Sequence, residues 1–310
     1  MHCGRNISAS RAEALRGRPH RRWRALRLAS IALGSFTLAG AAVPAQPSAP
    51  DDGARFERAL AALEPQRPGT VDAYVVVAAL DTEPVFEREA REAGRVLARR
   101  FGGEGRTLVL AVDEGDDKAD GAATPDRLAG ALDAVAKRMD RKEDVLVLYT
   151  TSHGSPREGL NFRDPARGTA VITPAQLAAM LDRPGIKNRL VIIQACFAGQ
   201  FVPALATPST VVATAATDMN SSFGCTAGND WTFFGYALID LAMRKPDTFV
   251  RQFRRAFVTI LEWEEQLGIE PSDPQISVGR DTAGWLAALD ARAPDAASAP
   301  VGHPPSELVH

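Results

Sequence analysis

Two side chains in this sequence stand out for the chemistry they can do, Cys196 and His153. Cys196 closes the apolar run L-V-I-I-Q-A-C-F-A-G-Q, and His153 follows V-L-V-L-Y-T-T-S directly and precedes Gly154. A cysteine thiolate is a strong nucleophile, and an imidazole that titrates near neutrality can take the thiol proton and pass it to a leaving group. Of the five histidines, His2, His20, His303 and His310 lie near the chain ends, so His153 is the one in the central region. The plain alternatives are a loop histidine satisfied by backbone and a buried cysteine behaving as a small hydrophobe. Both residues sit where an apolar run breaks into glycine-containing sequence, which favours the chemical reading. Cys225 is the competing thiol; it lies in a loop with no strand end beside it, and a Cys196–Cys225 bridge would silence the pair.

These residues need a frame. Apolar, β-rich runs at 71–80, 107–112, 145–150, 190–195 and 210–216 alternate with helical patterns at 85–101, 125–139, 174–181, 231–243 and 249–267, and a last short strand is expected at 275–278. Thr124-Pro125 and Thr173-Pro174 read as a cap followed by the first helical residue. Continuous apolar strands alternating with helices predict an α/β fold with a mostly parallel sheet covered on both faces. In such sheets the functional groups gather beyond the carboxyl ends of the strands, which is where His153 and Cys196 fall.

The ends of the chain read differently from its centre. Residues 1–45 carry eight arginines against one acid, Glu13, a balance of +7, so the remainder holds about −9 of the total of −2. A basic leader, an apolar run from Leu28 to Val43 and small residues at Val43-Pro44-Ala45 predict a signal peptide at 1–45, or an anchor if uncleaved. The run is short for a spanning helix. Residues 46–54 read as a linker, 55–290 as one folded domain and 291–310, rich in Ala, Pro and Asp, as a disordered tail. Export to the periplasm or beyond is the expected location, with contact to the membrane only through an uncleaved leader. An acidic body argues against nucleic acid as a partner.

Other chemistries lack their residues. There is neither a G-x-x-x-x-G-K-[ST] phosphate loop nor a G-x-G-x-x-G dinucleotide fingerprint. One histidine and two cysteines in the body do not make a zinc cluster, and D-E-G-D-D-K-A-D at 113–120 lacks calcium-loop spacing. No metal or organic cofactor is expected.

S-H-G-S after one strand, A-C-x-x-G after the next, and then S-S-F-G-C with D-W-T-F-F-G resemble the legumain-type cysteine peptidases, most of all their short bacterial members, over roughly residues 70–280. The Q-A-C motif with a histidine 43 residues upstream is also similar to the caspase signature, but its glycine comes one position late. The resemblance implies a three-layer caspase-like domain and a cysteine endopeptidase acting on peptide or protein substrates. It implies Cys196 as nucleophile, His153 as acid/base and the N–H groups of Gly154 and Cys196 as oxyanion hole. It implies Ser221 and Asp230 as substrate-pocket residues, with Asn or Asp preferred before the scissile bond. Asp230 can instead cap a helix starting at Trp231, and Ser221 can be a plain loop serine. Where animal and plant members have an acid after the nucleophile, an Asp before the histidine and a pocket Arg-His pair, this chain has Phe197, Ser152 and only Arg88 as a loose match. Two other outcomes fit the same residues: a transpeptidase or transamidase, like the related glycosylphosphatidylinositol transamidase, and a non-catalytic exported binding module.

Overall fold

A computed structural model of the chain describes residues 52–111 and 119–308. The expected signal peptide, most of the expected linker and nearly all of the acidic stretch at 113–120 lie outside the described residues. Strands β1 (Ala73–Ala79), β3 (Val145–Thr151) and β7 (Asn188–Gln194) are buried at every position. With β2 (Thr107–Leu110), β8 (Thr210–Thr214) and β9 (Gln275–Val278) they form a six-stranded sheet in the order β2-β1-β3-β7-β8-β9. All neighbours are parallel except β9, which closes one edge antiparallel to β8.

Alternation along each strand divides the core. Val75, Val77, Val147, Tyr149, Leu190, Ile192 and Val211 face α2 (Pro84–Phe101), α6 (Phe249–Leu267), α7 (Ala283–Asp290) and a π-helix at Gly235–Ala242. Tyr74, Val76, Leu146, Leu148, Val191, Ile193 and Val212 face α1 (Asp52–Ala62), α3 (Pro125–Arg138), α4 (Pro174–Asp182) and α5 (Val202–Leu205). The architecture is thus the three-layer α/β sandwich expected from the sequence. Thr124 caps α3 by accepting from Arg127 N at 3.2 Å, and Thr173 and Gln176 form a reciprocal capping box on α4. Among the described residues, no helix is long and apolar enough to cross a membrane.

At the amino ends of the strands a polar clamp replaces the apolar core. Asp72 is fully buried and accepts from Arg67 N at 2.7 Å and Arg67 Nε at 2.9 Å, while its own N–H donates to Asp144 Oδ1 at 2.8 Å. Burial pushes the Asp72 carboxyl up, but the Arg67 hydrogen bonds and the Arg106 and Arg67 charges outweigh it and hold the group below its ordinary value. Asn188 ties the start of β7 to the same corner, donating to the carbonyls of Lys142 and Glu143 at 3.1 Å.

The structure departs from the sequence expectations in four places. Helix α1 starts at Asp52, inside the expected linker, and Asp52 holds the turn by accepting from Ala122 N at 3.0 Å. A second, antiparallel sheet of β4 (Gly154–Ser155), β5 (Gly159–Asp164) and β6 (Gly168–Ile172) follows β3. The helix expected from Trp231 starts two residues later, because Thr232 and not Asp230 caps it: Thr232 Oγ1 accepts from Gly235 N at 3.0 Å. The segment after Ala291, read as disordered, lies along the body. Val301 N donates to Asp240 Oδ1 at 3.1 Å, Trp231 Nε1 donates to Val301 O at 2.8 Å, and Ser306 N donates to Asn229 Oδ1 at 2.9 Å. The body offers this segment a buried carboxylate and a buried indole N–H that require partners, a demand composition does not reveal.

Candidate active site

Strand register decides what meets at the carboxyl end of the sheet. Thr151 of β3 lies opposite Gln194 of β7, and Ser152 N donates to Gln194 O at 3.1 Å, which carries the ladder one step further. His153 and Cys196 therefore leave the sheet on adjacent strands at the same level. Gly154 packs on Cys196 so closely that a Cβ at residue 154 would overlap the Cys196 carbonyl oxygen. Asn161 N donates to His153 O at 2.9 Å, which makes 153 and 161 the hydrogen-bonded pair of the β4–β5 ladder. At the next pair, Gly154 with Leu160, the N–H must then point away from β5.

Cys196 is a reduced thiol, 6% exposed, so the Cys196–Cys225 bridge weighed from the sequence is not formed. Its sulfur accepts from Ser222 N at 3.3 Å and lies 3.4 Å from Ser222 O. Burial pushes the thiol above its ordinary value, opposed by the hydrogen bonds from the Ser222 backbone and the Ser221 side chain. Such a thiol is protonated at rest and needs a base at the moment of attack. The chain turns sharply just past it. Phe197 takes the left-handed conformation with φ 59° and donates its N–H to Asn220 O at 2.8 Å, leading into a 3₁₀ turn at Ala198–Phe201. A β-carbonless residue is then needed at 199, because a Cβ there would press on the backbone of Thr217 and Asp218.

His153 is held from two sides. Its Nε2 lies 2.9 Å from Glu83 Oε2, and its ring meets Phe86 edge-on with centroids 4.9 Å apart at 89°. Glu83 occupies the N-cap position of α2, just before Pro84. Its carboxylate also receives Arg163 NH2 at 3.3 Å, and Arg163 in turn forks Asp81 with two contacts of 3.0 Å. Sequence reasoning missed Glu83. An acid before a helical proline reads as an ordinary N-terminal charge.

Of the two expected pocket residues, the structure brings Ser221 to the thiol and places Asp230 elsewhere. Asp230 Oδ1 pairs with Arg88 Nε at 3.1 Å, and Oδ2 accepts from His303 N at 2.8 Å. Arg88 also donates to Asn229 O at 2.6 Å. The cleft around this pair is walled by Arg91, Arg95, Trp231, Val301 and Gly302; neither Cys196 nor His153 lines it. Among the described residues, no cluster of three His, Cys, Asp or Glu side chains is arranged to hold a metal ion.

Comparison with known proteins adds the following. The Peptidase C13 family model matches residues 128–284, just over half of the chain, a span that contains His153, Gly154, Cys196, Ser221 and Asp230 but begins after Glu83. Among solved structures, the crystal structure of caspase-1 from Spodoptera frugiperda is similar with a TM-score of 0.46 at 13% identity, over 68% of this chain and 87% of that one. No curated protein sequence matches the chain.

Proposed function

The chain belongs to the peptidase C13 family and on that ground is a cysteine peptidase; we propose that it is an endopeptidase working through Cys196 and His153. The observation that carries this reading is the β3–β7 register, which sets both residues side by side with Gly154 against Cys196. In the proposed reaction His153 takes the Sγ proton as sulfur attacks the scissile carbonyl carbon. The carbonyl electrons move to oxygen, where the N–H groups of Gly154 and Cys196 stabilise the charge. Collapse breaks the C–N bond, and His153 delivers the proton to the leaving amine. Water, deprotonated by the same imidazole, then cleaves the thioester. Ser221 and Ser222 keep the sulfur in place through the contacts described above.

The proposed preference for Asn or Asp before the scissile bond rests on the family resemblance alone, because the Arg88–Asp230 pair lies in a cleft that neither Cys196 nor His153 lines. Export is proposed from the arginine-rich, apolar leader alone; amino-terminal sequencing of the secreted protein should begin at Gln46. The deciding experiment digests a peptide library with the reduced protein beside Cys196→Ala and reads cleaved bonds by mass spectrometry, with and without an added amine. Cleavage by wild type alone supports the reading, and amine-capped products would turn it to a transpeptidase. Equal turnover by both proteins would refute it.

A further inference from the structure

We propose that Glu83 is the positioning residue of the site: it fixes His153 with the proton on Nε2 and leaves Nδ1 as the nitrogen that exchanges the Cys196 proton. The inference rests on the Cys196–His153 reading and extends it to an atom and a third residue. An ionised carboxylate only accepts hydrogen bonds, so the 2.9 Å contact between Glu83 Oε2 and His153 Nε2 requires a proton on Nε2. In the neutral ring the lone pair then belongs to Nδ1. The ring is thus oriented opposite to that of the serine-protease triad, where the carboxylate holds Nδ1 and Nε2 is the base.

Three features hold the carboxylate in place. Glu83 sits at the N-cap position of the 18-residue helix α2, whose N-terminal dipole favours negative charge. Arg163 reaches its oxygen from β5, and Asp81, only 2% exposed on its side chain, anchors that arginine from the end of β1. The backbone around Glu83 cannot drift: Arg163 N donates to Leu80 O at 3.0 Å, Thr82 N donates to Arg163 O at 3.1 Å, and Glu83 N donates to Asp81 Oδ1 at 3.0 Å. Phe86, one turn along α2, blocks the ring on another side.

The topology explains why the group comes from this segment. β1 neighbours β2 on one side and β3 on the other, so the connections leaving β1 and β3 diverge and open a crevice between their carboxyl ends. Glu83 enters that crevice from the β1 side and His153 from the β3 side, with Cys196 one strand further. The charged groups around the imidazole are Glu83 just before α2, Arg163 from β5 and Asp81 through that arginine, and the titratable thiol of Cys196 follows β7. During attack the Sγ proton moves to Nδ1, the sulfur pair forms the S–C bond, and the same proton leaves with the amine. Glu83 neither gains nor loses a proton; its charge stabilises the transient imidazolium.

The test uses the full-length protein and its Glu83→Gln and Glu83→Ala variants, with two readouts. Steady-state kinetics should show kcat lowered about 10²-fold or more with KM changed less than about threefold, and an unchanged Tm for Glu83→Gln. Histidine-selective 15N spectra, with the His153 signals identified by their loss in His153→Gln, should show the Nε2–H tautomer in wild type and a mixture in Glu83→Gln. An Nδ1–H ring in wild type overturns the proposal, as does an unaltered kcat in Glu83→Gln. If no substrate is turned over, the peptidase reading fails, but the spectra still decide the tautomer. If Cys196→Ala is dead while Glu83→Gln is fully active, the peptidase stands and this proposal falls.

Discussion

Removing the carboxyl of Glu89 should uncouple the loop before the π-helix from β3. Glu89 sits midway along α2, fully buried, and accepts from Tyr149 OH of β3 at 2.6 Å, from Thr232 N at 2.8 Å and from Thr232 Oγ1 at 2.7 Å. It packs so tightly on Gly235 that a Cβ there would overlap its carboxylate. Glu89→Ala strands three buried donors. At about 1–3 kcal/mol for each, with partial relaxation, the cost is about 4 kcal/mol. For a domain of this size that lowers Tm by roughly 8–16 °C. Glu89→Gln keeps the volume and one acceptor and should cost far less. Burial, against the hydrogen bonds of Tyr149 and Thr232, raises the Glu89 carboxyl above its ordinary value. The folded protein then holds this proton to higher pH than the unfolded chain does. The associated stability is complete below the unfolded-state pKa and is lost as pH rises through the folded one. Glu89→Gln has no such loss, so relative to wild type it should gain stability as pH rises from about 4 to neutrality. Urea titrations followed by circular dichroism across that range measure both effects. A cost below about 1 kcal/mol for Glu89→Ala, or parallel pH curves for wild type and Glu89→Gln, would refute the reasoning.

Gly154→Ala should cut kcat/KM by about 10²-fold or more, because the new methyl must push the Cys196 carbonyl and both strand ends apart; normal turnover of the purified variant would contradict the close packing. Truncation after Pro300 removes the Val301 acceptor of Trp231 Nε1 and the His303 and Ser306 donors to Asp230 and Asn229. It should cost about 2 kcal/mol by thermal or urea unfolding, and an unchanged Tm would show the segment to be dispensable. Thr124→Ala removes the α3 cap at the far face and should cost about 1 kcal/mol while kcat stays as in wild type.

Much of the frame was legible because it is written in local patterns. The three strands buried on both faces are each built on a continuous apolar stretch, α6 and β9 fall at the residues expected, and Thr124 and Thr173 mark their helices before proline. Placing His153 and Cys196 at strand ends needed no more than this. What escaped depends on partners distant in sequence. Glu83 acquires its meaning from a ring 70 residues away. β4 has two residues and gains strand identity only from β5. Thr232 displaces Asp230 as cap, which frees Asp230 for Arg88, an ion pair spanning 142 positions. The tail reads as disordered by composition, yet its backbone satisfies polar groups of the body that no window of sequence contains.

The clamp at the amino ends of the strands has a consequence for how this molecule can vary. Asp72, Asp144 and Asn188 tie β1, β3 and β7 together at the end opposite His153 and Cys196. The register on which the site depends is therefore pinned where no substrate reaches. Apart from the segment around Glu83, the connections at the reactive end are relieved of that duty and can be varied without the strands slipping. For directed evolution this separates two libraries. Changes in the reactive-end loops outside residues 81–86, Arg163, Ser221 and Ser222, which hold His153 and Cys196, should alter what is accepted, whereas changes at the clamp should chiefly alter whether the protein is recovered folded.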